Sequence, residues 1–129
     1  MGKTKILLID DEAYFCKAVK LNLEHGGVYE VTTAQSGEDG LRQATSDDFD
    51  LIITDVRMPG LDGKTVLRTL KAKRSHVPVV LLSIYHDDDL VITPDLGRLA
   101  DGVISKPIDH EQLEQAIHQA LTKHSPRRS

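Results

Sequence analysis

The sequence predicts a doubly wound α/β fold, one five-stranded parallel sheet with helices on both faces. Three observations carry that reading. Apolar runs of strand length recur five times along the 129 residues, at 5–9, 29–33, 51–55, 77–83 and 102–105. The stretches between them mostly show helical spacing, and such strand and helix alternation implies parallel strands joined by right-handed crossovers. The third run, Leu51, Ile52, Ile53 and Thr54 ahead of Asp55, is apolar without alternation. That is the pattern of a strand covered on both faces, which parallel sheets require.

Each element has its own justification. Residues 5–9 run into Asp10, Asp11 and Glu12, followed by Phe15, Val19 and Leu23 at four-residue spacing and then Gly26 and Gly27: strand, acidic turn, helix, stop. After the second strand, Ser36 with Asp39 three residues later resembles a capping box, ahead of a helix whose apolar face is thin, Leu41 and Ala44. The third strand ends at Asp55. Beyond the Pro59 and Gly60 turn, Asp62 is placed to cap a helix that turns Val66, Leu67 and Leu70 inward. Lys71, Lys73 and Arg74 follow, cations suited to a helix C-terminus. The segment 85–100 is the least regular: Pro94 removes a backbone donor and Gly97 follows closely, so an irregular fourth helix is expected there. After the short fifth strand and Lys106, Asp109 caps a last helix with Leu113, Ala116, Ile117, Ala120 and Leu121 on one face.

Length and composition narrow the functional classes. A chain of 129 residues suits one domain with one site. Hydrophobic content of 40% and charged content of 28% are those of an ordinary globular protein, and no apolar run approaches a membrane span, so no membrane partner is expected. Met1 to Lys5 leads into the first strand without a signal-peptide pattern, so a cytoplasmic location is expected. The single cysteine, Cys16, falls in a helical pattern and reads as a buried structural thiol. A net charge of −4 argues against a nucleic-acid surface, and Arg127 and Arg128 are too few to change that.

The chemistry sits where strands end. Asp10 and Asp11 follow the first strand, Asp55 ends the third, Ser83 the fourth and Lys106 the fifth; if the strand order is 2-1-3-4-5 these ends are contiguous, at the crevice where open α/β sheets bind ligands. Each residue alone also fits a structural role: a helix cap for Asp10 or Asp11, a turn for Asp55, a core hydroxyl for Ser83, a surface ion pair for Lys106. Four such coincidences at four corresponding strand ends are a poor explanation of the set. Carboxylates this close repel by about 4 kcal/mol per pair at 4 Å and an effective dielectric of 20, so the pocket calls for a cation. The candidate ligands are all oxygens, which selects a hard divalent ion such as Mg²⁺ over zinc, and Mg²⁺ is usually shared with a phosphate. Lys106 and the Ser83 hydroxyl then suit phosphate oxygens, and Asp55, lying between the other groups, is placed to be the nucleophile of a phosphoryl transfer.

With those residues in view, the chain resembles the receiver domains of bacterial response regulators, a flavodoxin-like (βα)5 family. The marks are residues 9–12 (Ile-Asp-Asp-Glu), Asp55 with Met58, Pro59 and Gly60, Asp62 with Gly63, Ser83, and Lys106 with Pro107. The resemblance implies a receiver domain over residues 5–123, with 124–129 a flexible basic tail or linker stump. It implies that Asp55 accepts a phosphoryl group from the phosphohistidine of a histidine kinase or phosphotransfer protein. It further implies Mg²⁺ held by Asp11, Asp55 and the backbone carbonyl of Arg57, with Asp10 acting through water. Lys106 would pair with the phosphoryl group, Ser83 would move to bond it, and the Lys106-Pro107 peptide would be cis. The output would be a switch of protein contacts, toward a downstream protein or an output domain, rather than turnover of a separate substrate.

Departures from the family pattern qualify the switch. Val103 stands three residues before the lysine, where many receivers carry an aromatic that rotates on activation. Ile84 follows Ser83 where a small residue is common, so narrower access to Asp55 is expected, and Pro94 and Gly97 disturb the fourth helix. The alternative that Val103 and Pro94 keep open is a degenerate receiver that binds partners without phosphorylation. An Asp-nucleophile phosphohydrolase is the other rival, and it needs a second acid two residues past the nucleophile, where this chain has Arg57. The six histidines form no metal spacing and read as surface residues, His110 and His118 among them, with His86 the one near the site; residues 87–89, all Asp, read as a solvated helix start.

Overall fold

The computed structural model describes residues 2–74, 76–84 and 99–124. Its elements, in chain order, are β1 (Thr4–Ile9), α1 (Ala13–Glu24), β2 (Tyr29–Ala34), α2 (Gly37–Ser46), β3 (Leu51–Asp55), α3 (Gly63–Lys73), β4 (Val79–Ile84), β5 (Gly102–Lys106) and the last described helix, α4 (His110–His124). The strands form one parallel sheet in the order β2-β1-β3-β4-β5, as expected. The irregular helix expected at 85–100, with His86, the three aspartates 87–89, Pro94 and Gly97, falls almost wholly outside the described residues, as do residues 125–129.

Strand periodicity sorts the core into two layers. Leu7 and Ile9 of β1, Ile52 of β3, and Val79 and Leu81 of β4 pack with Val66, Leu67 and Leu70 of α3 and Ala44 of α2. Their neighbours in sequence, Ile6, Leu8, Leu51, Ile53, Val80 and Leu82, pack on the other face with Cys16, Val19 and Leu23 of α1 and Leu113, Ile117 and Ala120 of α4. Alternate side chains of a strand point to opposite faces, so a strand apolar at every position needs helices on both sides. All five residues of β3 are buried.

The caps read from sequence are in place. Ser36 Oγ accepts the Asp39 N–H at 3.0 Å, although Asp39 turns its own carboxylate to Arg42 and Gln43. Asp62 Oδ1 accepts from Thr65 N at 3.0 Å, and Asp109 Oδ1 from Glu111 N at 2.9 Å. The cations ending α3 do more than face a helix dipole. Lys71 Nζ bonds the Val77 carbonyl at 3.0 Å and Asp101 Oδ2 at 2.8 Å, and the same Asp101 oxygen accepts the Val79 N–H. This buried pair ties α3 to the beginnings of β4 and β5, at the far end of the sheet from the aspartates.

Candidate functional site: an acidic pocket beyond the strand ends

The register of the sheet builds the pocket. Ile9 lies opposite Thr54, so Asp10, the residue just after β1, comes level with Asp55. Asp10 still pairs its N–H with the Ala34 carbonyl at 2.9 Å, which holds it as an extension of the strand. Asp55 lies opposite Leu82, one residue before Ser83, and Lys106 lies opposite Ile84. Asp10, Asp55, Ser83 and Lys106 therefore share one end of the sheet, and Asp11 follows at the rim.

Three of the carboxylates converge. One oxygen from each of Asp10, Asp11 and Asp55 lies within 4.8 Å of the others, with Asp10 and Asp55 buried and Asp11 exposed. Among these residues Lys106 is the counter-charge: its Nζ is 2.8 Å from Asp10 Oδ2, 3.3 Å from Asp55 Oδ2 and 3.2 Å from Glu12 Oε1. Asp10 also serves the backbone, though not as the helix cap, a position that Glu12 holds: its Oδ1 accepts the Glu12 N–H at 2.9 Å and shapes the turn into α1. The two roles use different oxygens and do not compete.

The electrostatics leave this pocket short of positive charge. Burial, and then the charge of Asp10, push the Asp55 carboxyl up to about 6, against a smaller opposing pull from Lys106 and the Arg57 backbone N–H. For Lys106, burial works against the charged form, but the contacts with Asp10, Asp55 and Glu12 outweigh it and raise its pKa. Among the described residues Asp55 Oδ1 is buried without a hydrogen bond, and the Lys106 ammonium at 2.8 Å is the sole partner of the buried Asp10 Oδ2. Buried carboxylate oxygens with one shared ammonium between them, in an all-oxygen cluster, fit a hard divalent cation.

Gly63 lets α3 approach this site. A Cβ there would collide with the Asp55 carbonyl oxygen and come within 2.7 Å of Val56 Cα, while the Gly63 N–H bonds the Val56 carbonyl at 2.9 Å. Gly60 turns the intervening loop with φ of +77°, a conformation that favours glycine. The Lys106-Pro107 peptide is cis.

Two contacts of the lysine were not read from sequence. Glu12 figured only as part of a motif and Phe15 only as a core spacing, yet both touch Lys106: the Phe15 ring centroid lies 4.4 Å from Nζ. Cys16, expected to be buried, is 2% exposed; burial, with Asp10 adding, pushes its thiol up to about 11, and Sγ donates to the Asp10 carbonyl. The described histidines whose side chains are placed, His25, His76, His110 and His118, are exposed.

Fold and pocket together define a flavodoxin-like α/β domain with an aspartate cluster able to hold a metal ion at its strand ends. The family model for the response regulator receiver domain matches residues 6–118, and the chain belongs to that family, the receiver domains of two-component response regulators. It is 37% identical over 122 residues to the uncharacterized transcriptional regulatory protein YkoG of Bacillus subtilis (strain 168), covering 94% of this chain and 52% of that one. It thus spans about half the length of that relative, and 27% of another, the transcriptional regulatory protein ZraR of Salmonella typhimurium. Among solved structures it is similar to a response regulator receiver domain protein from Clostridium thermocellum, at 36% identity and a TM-score of 0.84, over 93% of this chain and 95% of that one. Among the described residues no helix is long and apolar enough to cross a membrane.

Proposed function

We propose that this chain is the phosphoacceptor of a histidine-to-aspartate relay, with residues 5–123 the receiver unit and 124–129 a tail or linker. The observation that carries the proposal is the convergence of Asp10, Asp11 and Asp55 with the Lys106 ammonium at one end of the sheet. Asp55 is the nucleophile: a carboxylate oxygen forms the new O–P bond as the P–N bond of a phosphohistidine breaks, and the electron pair stays on the imidazole nitrogen. Mg²⁺, when bound, neutralises charge on the phosphoryl oxygens and relieves the repulsion among the aspartates. Asp11, Asp55 and the Arg57 backbone carbonyl would hold it, with Asp10 acting through water. Lys106 supplies the fixed positive charge, and Ser83, on β4 beside the acceptor, donates its hydroxyl to the phosphoryl group. The chain turns over no separate substrate. It answers to a cytoplasmic histidine kinase or phosphotransfer protein and passes its state to a downstream protein or output domain. The named transcriptional regulators of about twice its length or more support that partner class.

Intact-mass measurement after incubation with acetyl phosphate tests this. Wild-type protein with Mg²⁺ gains one phosphoryl group, whereas protein treated with chelator, and the Asp55→Asn variant, gain none. No adduct on wild type under any donor, cognate kinase included, would instead establish the degenerate receiver.

A further inference from the structure

Resting on the phosphoacceptor reading above, we propose that the first turn of α1 positions the Lys106 ammonium, with the Phe15 ring as a lasting restraint and the Glu12 carboxylate as a releasable competitor of the incoming phosphoryl group. An ammonium has three N–H donors, and here three carboxylates surround it: Asp10 at 2.8 Å, Glu12 at 3.2 Å and Asp55 at 3.3 Å. A phosphoryl group arriving on Asp55 must take a donor from one of them. Asp10 is fully buried and Asp55 nearly so, whereas the Glu12 side chain is 65% exposed, so Glu12 is released at least cost, straight into water. Glu12 has no competing structural duty that would hold it back. It stands at the N-cap position of α1, yet its side chain makes no cap hydrogen bond.

Phe15 acts differently. Its ring centroid is 4.4 Å from Nζ, well inside cation–π range, and a ring face attracts the charge without using up an N–H. It therefore stays engaged when Glu12 lets go, and holds the ammonium over the pocket while the donor directions change. The ring is half-buried and Lys106 only 14% exposed, so the contact is partly shielded from water and stronger than a surface one. The two residues thus have opposite effects: Phe15 assists capture of the phosphoryl group, and Glu12 retards it.

The test compares Phe15→Leu, Phe15→Tyr and Glu12→Gln in the full 129-residue chain, with and without Lys106→Ala. In proton NMR spectra of metal-free protein the Lys106 side-chain protons beside Nζ should be shifted upfield by the ring, and the shift should vanish in Phe15→Leu and persist in Phe15→Tyr. With phosphoramidate and Mg²⁺, the phosphorylation rate should fall about 3- to 10-fold in Phe15→Leu, the range of a partly shielded cation–π contact, and hold in Phe15→Tyr. It should rise about 2- to 4-fold in Glu12→Gln, the range of an exposed ion pair. Both effects should disappear on the Lys106→Ala background, where a purely structural or docking role would persist. Equal behaviour of the Leu and Tyr variants, a slower Glu12→Gln protein, or effects that survive loss of Lys106 would overturn the proposal. If wild type takes up no phosphate while Asp55 is intact, the phosphoacceptor reading fails, and the ring shift still decides whether Phe15 holds the ammonium.

Discussion

Asp55 has to be an anion for its proposed chemistry in a place that disfavours anions. Its carboxyl is pushed up to about 6 by burial and by Asp10, so ionisation is harder in the folded chain than in the unfolded one. For an acid with a raised folded pKa, the protonated form carries no penalty, and stability is lost as pH rises from the unfolded value near 4 through 6. Above pH 6 the loss is complete, on the order of 3 kcal/mol for a shift of about two pKa units. Asp55→Asn is therefore expected to stabilise the metal-free protein by about 2–3 kcal/mol at pH 7.5 and by almost nothing at pH 4. Urea denaturation at the two pH values measures the difference, and an equal effect at both would remove burial and Asp10 as its cause. The same residue scale limited the sequence reading. Asp10, Asp55 and Lys106 could be named because each ends a strand. Glu12 and Phe15 could not be tied to Lys106, which is more than 90 positions away in the chain; Phe15 at four-residue spacing from Val19 looks like any inward helix position.

At the scale of elements, α3 is placed by what its first residue lacks. Gly63 packs against the backbone of Asp55 and Val56, and neither neighbour can yield without moving the acceptor itself. Gly63→Ala should cost about 1–3 kcal/mol in urea denaturation, the usual range for overpacking. It should also slow phosphorylation from acetyl phosphate, because relief of the clash displaces Asp55. Full activity in a destabilised variant would mean that α3 moves and the strand end does not. The helices themselves were legible: Ser36, Asp62 and Asp109 cap where their spacing placed them, because a cap is a local interaction within three residues. The Lys71 and Asp101 pair was not, because it joins α3 to the start of β5 across a turn of the fold.

At the scale of the whole molecule, the acidic pocket couples stability to cation binding. Mg²⁺ that binds the folded chain and not the unfolded one, at ten times its dissociation constant, adds about 1.4 kcal/mol, or roughly 5 °C in melting temperature for a chain of this size. Asp55→Asn should lose most of that increment. A thermal scan with Mg²⁺ and with chelator reads it directly, and equal shifts in both proteins would place the ion elsewhere. Sequence alone determined the strands, the layered sheet and the identity of the groups at its carboxyl ends, because periodicity, caps and strand termini are written in neighbouring residues; the strand order was an expectation that went with the family resemblance, and the strand pairing bears it out. Tertiary structure alone decided which oxygen of Asp10 serves the turn and which the lysine, how far burial lifts Asp55, and that α1 lends a carboxylate and a ring to Lys106. Those outcomes depend on distances between chain segments that register and helix packing set, and a local pattern holds no record of them.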